Sequence, residues 1–359
     1  MKVCIIGNGL VSLILAKVLS KKALSVDIFS KSMFKKYSST RTIGITKSNL
    51  DYLNQNVLNI EKISWGIKEI KIFTENLKKE EILNFSYSDK KNFFIVKNEE
   101  FFNFLKKKLK NNRLIKFKKN KGYQEILKEN YDLIINCDPN HQITKKFFSK
   151  RFIKKYNSSA FTTIMTHKKL KKNDVAFQIF THRGPIAFLP VSNNKTSIVY
   201  SFKTKLNNTS DVTKLIYKFN PIFEIKKINN LSKFELKSLN LRNYYKDNIL
   251  AFGDLLHQVH PLAGQGFNMT LRDISYLSTL IDERINLGLV IDNTICRDFE
   301  KNLRDKNLIF STGIDLIYEF FNFESKTNSE IISKSLSILG KNKFFNSFFK
   351  KFADSGLRP

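Results

Sequence analysis

A chain of 359 residues with 42% hydrophobic and 13% aromatic content can bury a sizeable core. It excludes a disordered or low-complexity protein and sets about two domains as the starting expectation. Three scattered cysteines, Cys4, Cys137 and Cys296, form no CxxC pair, which excludes disulfide stapling and structural zinc and fits a reducing compartment.

The formal charge of +30 has two readings. One is a polyanionic partner; the other is compositional drift, because the excess is Lys and travels with Asn, Ile and Phe. Arg, the better reader of bases and phosphates, is scarce in the densest runs, 104–122 and 168–174. No specific nucleic-acid partner is therefore expected, while attraction to an anionic membrane surface stays open. No apolar run reaches the ~18 residues of a membrane span. The N-terminal stretch MKVCIIGNGLVSLILAKVLSKKA is read as structure, because Gly7-Asn8-Gly9 interrupts it and lysines follow at helical spacing.

In chain order, KVCII (2–6) is a short β-branched run of the kind buried in a parallel sheet. GNGLVS then opens an amphipathic helix to about Lys22, and SVDIF (25–29) is a second strand. This β-turn-α-β order is a nucleotide-binding unit, in which two glycines let backbone approach a phosphate at the helix N-terminus. On its own, GxGxxS without an acid after the second strand also fits an ordinary βα turn. Short strands alternate with a helix at Glu99–Lys110 between 67 and 118, and YDLIINCD (131–138) is a further buried strand. Four strands then follow, SSAFTTIMTH, VAFQIF, PIAFLPV and TSIVYSF, the last two joined by a hairpin turn at 192–195. Their short links predict an antiparallel sheet. NILAF (248–252) returns to the parallel type, a helix from near Gln265 runs to about Leu287, and 295–357 is helical.

The fold class expected is therefore α/β. A discontinuous Rossmann-like domain (1–66, 98–150 and 245–295) carries an inserted antiparallel β-sheet substrate domain (67–97 and 151–244). Helices follow over 296–359.

The stretch GDLLHQVHPLAGQGFNMTLRD (253–273) carries the chemistry. Asp254, His257 and His260 are metal-ligand types, but their spacing runs from a strand end into a Pro-containing loop with no fourth ligand, so no metal is expected. A nucleophilic triad lacks its G-x-S-x-G elbow. As a third reading, Pro261, Gly264 and Gly266 let backbone lie against a flat ligand. The helix beginning at Gln265 then aims its unpaired N–H groups at negative charge on that ligand.

On these residues the chain resembles the UbiH/UbiF/VisC group of FAD-dependent aromatic hydroxylases. The likeness runs from KVCIIGNGLVS through RTIGITKSNLDYLNQNVL (41–58), YDLIINCD and GPIAFLPV to GDLLHQVHPLAGQGFNMTLRD, which matches GDAAHxxHPLAGQGxNxGLRD at most positions. The resemblance implies bound FAD, NAD(P)H as reductant and O2 as co-substrate. It also implies hydroxylation of a polyprenylated phenol or quinol in ubiquinone synthesis through a flavin C4a-hydroperoxide. The alternatives are the same chemistry on another aromatic substrate, or a degenerate flavoprotein in a quinone-synthesis assembly.

The resemblance assigns Gly7, Gly9, Leu10 and Val11 to the pyrophosphate, Ser30 and Arg41 to the dinucleotide, and Asp254 to the ribityl chain. The backbone of Gly264, Gln265, Gly266, Phe267 and Asn268 meets the ring edge. Pro261 and the strand Phe188-Leu189-Pro190 border the substrate, and His257 and His260 either carry protons or orient the loop. Three positions depart from the family: Ser12 for Gly, Ser30 for Glu, and Asp138-Pro139 for Asp-Gly. Losing one charge-assisted hydrogen bond costs about 1.5–3 kcal/mol, so FAD is expected to be retained but held more loosely. The expected partners are the polyprenyl substrate, the membrane surface and other ubiquinone-pathway enzymes. The expected location is cytoplasmic, peripheral on the inner face of the membrane. The aromatic tail FFNSFFKKF (344–352) fits either that interface or the substrate domain's core.

Overall fold

A computed structural model of the chain describes residues 1–31, 39–75, 77, 80–86, 91–202, 209–327, 334–335, 354 and 356. Lys2–Ile6 takes the middle of a six-stranded sheet, with all but its first side chain buried. Only a strand covered on both faces tolerates such an unbroken apolar run. The chain turns through Gly7–Gly9 into the helix Leu10–Lys21 and returns as Ser25–Ser30, parallel to the first strand.

Across this sheet the order is Tyr245–Lys246, Ile249–Ala251, Leu133–Asn136, Lys2–Ile6, Ser25–Ser30 and Ile115–Lys119. Every pair is parallel except the outermost hairpin. The strand order reverses at Lys2–Ile6, because Ser25–Ser30 lies on one side of it and the much later Leu133–Asn136 on the other. A crevice opens at such a switch point, outside the carboxyl ends of the strands.

The helix predicted over Glu99–Lys110 runs Asn98–Leu109 and buries Phe101, Phe102, Leu105 and Leu109, one face of a 3.6-residue period. It packs on Leu10–Lys21, which also touches the helix Gln265–Asn286. Together with the sheet they enclose the larger core, and the long helix Asn293–Thr327 packs against Gln265–Asn286.

A second sheet has nine strands. Its main path is His257–Gln258, Ser232–Leu241, Arg151–His167, Lys195–Phe202, Gly184–Ser192, Val175–Thr181, Glu69–Thr74 and Glu81–Ser86, with Ile225–Ile228 pairing to Arg151–His167. The four strands predicted from 158 to 202 are antiparallel neighbours within it. Val175–Thr181 and Glu69–Thr74 are parallel, because the chain supplies Glu69–Thr74 from a far earlier segment. Val212 and Ile216, from the helix Thr209–Lys218, join Phe188 and Tyr200 in a separate core under this sheet.

The segment 67–97 divides between sheets. Glu69–Thr74 and Glu81–Ser86 join the large one, whereas Phe93–Lys97 pairs with Thr42–Thr46 and Ser64–Ile67 in a small three-stranded sheet. Among the described residues no helix is long and apolar enough to cross a membrane. The aromatic tail 344–352 lies outside the described residues.

Candidate functional site

Four strands of the parallel sheet end around one cavity of about 1180 Å³. Gly7 follows Lys2–Ile6, Ser30 closes Ser25–Ser30, Cys137 and Asp138 follow Leu133–Asn136, and Gly253 and Asp254 lie just beyond Ile249–Ala251. All of these border the cavity. The opposite wall is the apolar face of the large sheet, including Ile72, Ala187 and Leu189, with Thr42 and Gly44 of the small sheet between.

Gly7 has φ +114°, and a Cβ there would stand 3.3 Å from the Ser12 hydroxyl and 3.4 Å from Cys137. The tight turn thus needs glycine, and the space glycine leaves receives the fully buried Ser12. The helix Leu10–Lys21 begins at Gly9 with no side-chain cap and no acid in its first turn. Leu10 and Val11 border the cavity, so the helix N-terminus offers it bare amides and positive dipole.

The helix Gln265–Asn286 opens onto the same cavity and is also uncapped by any side chain. Its N-cap, Gly264, has φ +64° and lies over Gly44, whose Cα would sit 3.5 Å from an added Cβ. Asn268 locks this bend. Its Oδ1 accepts from Thr46 N and Asn49 Nδ2, and its Nδ2 donates to Gly44 O and Gly264 O, all at 3.0 Å. Those four bonds use everything a carboxamide can offer.

The structure brings Gly7, Gly9, Leu10, Val11, Ser30, Arg41, Asp254, Pro261, Gly264, Gly266 and Phe267 together on one cavity surface. Gln265 and Asn268 stand behind that surface, both buried, and Gln265 Oε1 has no hydrogen-bond partner among the described residues. Pro190 lies on the far side of its strand. Side chains alternate along Gly184–Ser192, so Ala187 and Leu189 face the cavity while Phe188 enters the core beneath and Pro190 is buried.

The two histidines separate as well. His257 has a fully buried imidazole whose Nε2 lies 2.5 Å from Asp273 Oδ2, and Asn307 Nδ2 donates to Asp273 Oδ1 at 3.1 Å. Only its main chain therefore meets the cavity, and the ring ties the loop to the helix behind it. His260 stacks on Tyr318 with ring centroids 4.2 Å apart and meets Tyr156 edge-on at 5.1 Å. Asp254, by contrast, is exposed on the cavity wall. The three candidate ligands point to three places, and no metal-holding group of His, Cys, Asp or Glu is found among the described residues.

Sequence reasoning passed over Lys31, Lys47, Lys237 and Asp354, all of which border the cavity. With Arg41, which lies over the Phe234 ring at 5.7 Å, the three lysines bring positive charge to a lining that also holds Asp138, Glu235, Asp254 and Asp354. Asp354 arrives from the far end of the chain: its Oδ1 accepts from Ser48 N at 3.2 Å at the start of the helix Lys47–Asn56. Nothing in local sequence signals such a contact. Cys137 also borders the cavity, and burial pushes its thiol up to about 12, so it is no thiolate nucleophile at neutral pH.

Residues 119–286 match the family described as FAD binding domain. The chain is 23% identical over 276 residues to the ubiquinone biosynthesis monooxygenase COQ6, mitochondrial, of Schizosaccharomyces pombe, covering 63% of this chain and 57% of that one. It is 29% identical over 157 residues to the 3-demethoxyubiquinol 3-hydroxylase of Escherichia coli, covering 41% and 40%. The chain thus spans about half the length of the curated relatives it matches. Among solved structures, p-nitrophenol 4-monooxygenase from Pseudomonas putida superposes with a TM-score of 0.79 over 99% of this chain and 98% of that one, at 12% identity.

The residues present fit a flavin dinucleotide. Two uncapped helix N-termini face one cavity, a positive-φ glycine bend borders it, and the volume exceeds the roughly 300–1,000 Å³ of ordinary ligand pockets. Residues 119–286 thus match an FAD binding domain, and the whole chain shares the fold of p-nitrophenol 4-monooxygenase.

Proposed function

We propose that this chain is an FAD-dependent monooxygenase. It uses NAD(P)H and O2 to hydroxylate an electron-rich phenol or quinol with an apolar tail, of the ubiquinone-precursor kind named by its relatives. One observation carries the reading: a single cavity joins the phosphate-type ends of the parallel strands to an apolar sheet face. When bound, FAD would supply two-electron redox chemistry and the activation of O2.

The chain's own residues do the rest. The amides that follow Gly7 and Gly9, at Leu10 and Val11, would hold the pyrophosphate, with Ser30 and Arg41 toward the adenosine end. Asp254 would bond the ribityl hydroxyls, and the main chain from Gly264 through Phe267 would face the pyrimidine edge with the positive end of its helix. Pro261 and Leu189 would border the aromatic ring. Phe85 and Phe93 would exclude water from it, a condition for oxygen transfer to outrun wasteful decay. His257, Asn268 and Asp273 act as positioning residues, since none offers a free side-chain atom to the cavity. The lysine excess would favour contact with an anionic membrane surface, where a tailed substrate resides.

The test is a titration of the purified protein with FAD, followed by NADH and NADPH oxidation with and without a tailed phenol. Flavin binding and phenol-stimulated oxidation coupled to a hydroxylated product are expected. Protein that takes up no flavin at high FAD overturns the proposal.

A further inference from the structure

The large sheet turns one face to the cavity, and strand register lines up its side chains across that face. Ile72 stands opposite Gln178, Gln178 opposite Ala187, Ala187 opposite Val199, and Val199 opposite Thr162. All five border the cavity. Ile70, Ala176 and Leu189 border it from the neighbouring positions on the same strands. The Thr162 hydroxyl already has a neighbour in Thr40 Oγ1 at 3.4 Å.

Gln178 is different. It stands half-buried in the middle of this apolar floor, and its carboxamide has no hydrogen-bond partner among the described residues. The charged side chains at the cavity belong to other elements, or to the strand Ser232–Leu241 two places beyond Val199 in the sheet. A group lodged against Gln178 therefore meets an amide donor and a carbonyl acceptor, with no charged side chain beside them on this face among the described residues. That chemistry suits a neutral ring oxygen, such as a hydroxyl, carbonyl or ether, and disfavours a carboxylate, which would be desolvated without a cation.

We propose that Gln178 is a specificity-determining residue that orients the aromatic ring by hydrogen-bonding a neutral oxygen substituent. The proposal rests on the hydroxylase reading for its reaction but not for its binding step. A site with a buried polar group rejects a ligand that leaves that group unpaired far more strongly than it rejects a change of bulk.

The experiment compares para-hexylphenol with hexylbenzene on the FAD-loaded wild type, Gln178→Leu and Gln178→Asn. Binding is followed by the fluorescence of Trp65, the single tryptophan, which packs against the same apolar cluster as the cavity residues Ile70 and Leu189. Gln178→Leu should weaken para-hexylphenol by roughly tenfold to a hundredfold, leave hexylbenzene unchanged or tighter, and leave FAD affinity unchanged. In turnover KM should rise with little change in kcat, and Gln178→Asn should restore part of the phenol affinity. Equal loss of both probes, or no loss of para-hexylphenol, overturns the assignment. If wild type takes up no FAD, the hydroxylase reading falls, while the two-probe comparison on the same protein still decides the role of Gln178.

Discussion

Asn268 is the residue on which the glycine bend depends. Its four bonds at 3.0 Å fasten the bend to Gly44 and Thr46 of one strand and to Asn49 of the next helix. Asn268→Leu keeps the volume but strands buried carbonyl and amide groups, each of which costs about 1–3 kcal/mol to leave unmet. The expected loss is about 2–4 kcal/mol in urea unfolding, together with weaker FAD binding because the bend loosens. An unchanged unfolding midpoint would remove Asn268 from this role. The motif made Asn268 visible as a candidate, but its spacing could not say whether the side chain reaches out to a ligand or back into the protein. The same ambiguity held for His257, whose partner Asp273 stands about two turns inside the next helix, with Asn307 beyond it.

At the scale of elements, a charge cluster lashes the edge of the parallel sheet together. Lys118 Nζ lies 2.8 Å from Asp27 and 3.2 Å from Glu129, Lys121 Nζ lies 2.6 Å from Glu129, and the Tyr131 hydroxyl sits 2.7 Å from both acids. Hydrogen bonds from Lys121 and then Tyr131 hold Glu129 down to about 2, against an ordinary 4.5. For Asp27 burial pushes upward, but the bonds from Lys118 and Tyr131 outweigh it and the net shift is down. A carboxylate depressed in the folded state contributes stability that is full above its ordinary value and is lost as pH falls through the folded one. Unfolding free energy should therefore fall between pH 4.5 and about 2, and Glu129→Gln should flatten that slope. A slope identical to wild type would refute the coupling. Asp27 is an acid on the strand Ser25–Ser30 itself, yet it is 1% exposed and engaged here, so it does not replace the acid missing at Ser30.

For the whole molecule, the cavity has walls from all three sheets, so a ligand within it binds the folded arrangement alone. Saturation with FAD at about a hundred times its dissociation constant should stabilise the chain by about 2.7 kcal/mol, read as a rise in unfolding midpoint. Stabilisation equal to that given by a matched concentration of AMP would place the ligand on the nucleotide side only and contradict a seat for the flavin ring.

The sequence by itself determined the parallel β-α-β core, the antiparallel block from 158 to 202 and the helix from Gln265, because these depend on local periodicity and turn chemistry. It also located the two glycine loops, since close backbone approach needs glycine wherever the loops finally sit. Only the tertiary structure decided which face of each strand meets the cavity, because a period of two leaves both faces equally open until a partner layer covers one. That is why Leu189 and not Pro190 faces the cavity, and why Gln178 had no signal of its own. It also decided the long-range closures: Glu69–Thr74 beside Val175–Thr181, and Asp354 at the helix start near Ser48, 306 residues away. Contacts of that kind leave no mark in any window of sequence, because they arise from shape and hydrogen-bond complementarity between surfaces that exist only after the elements have packed.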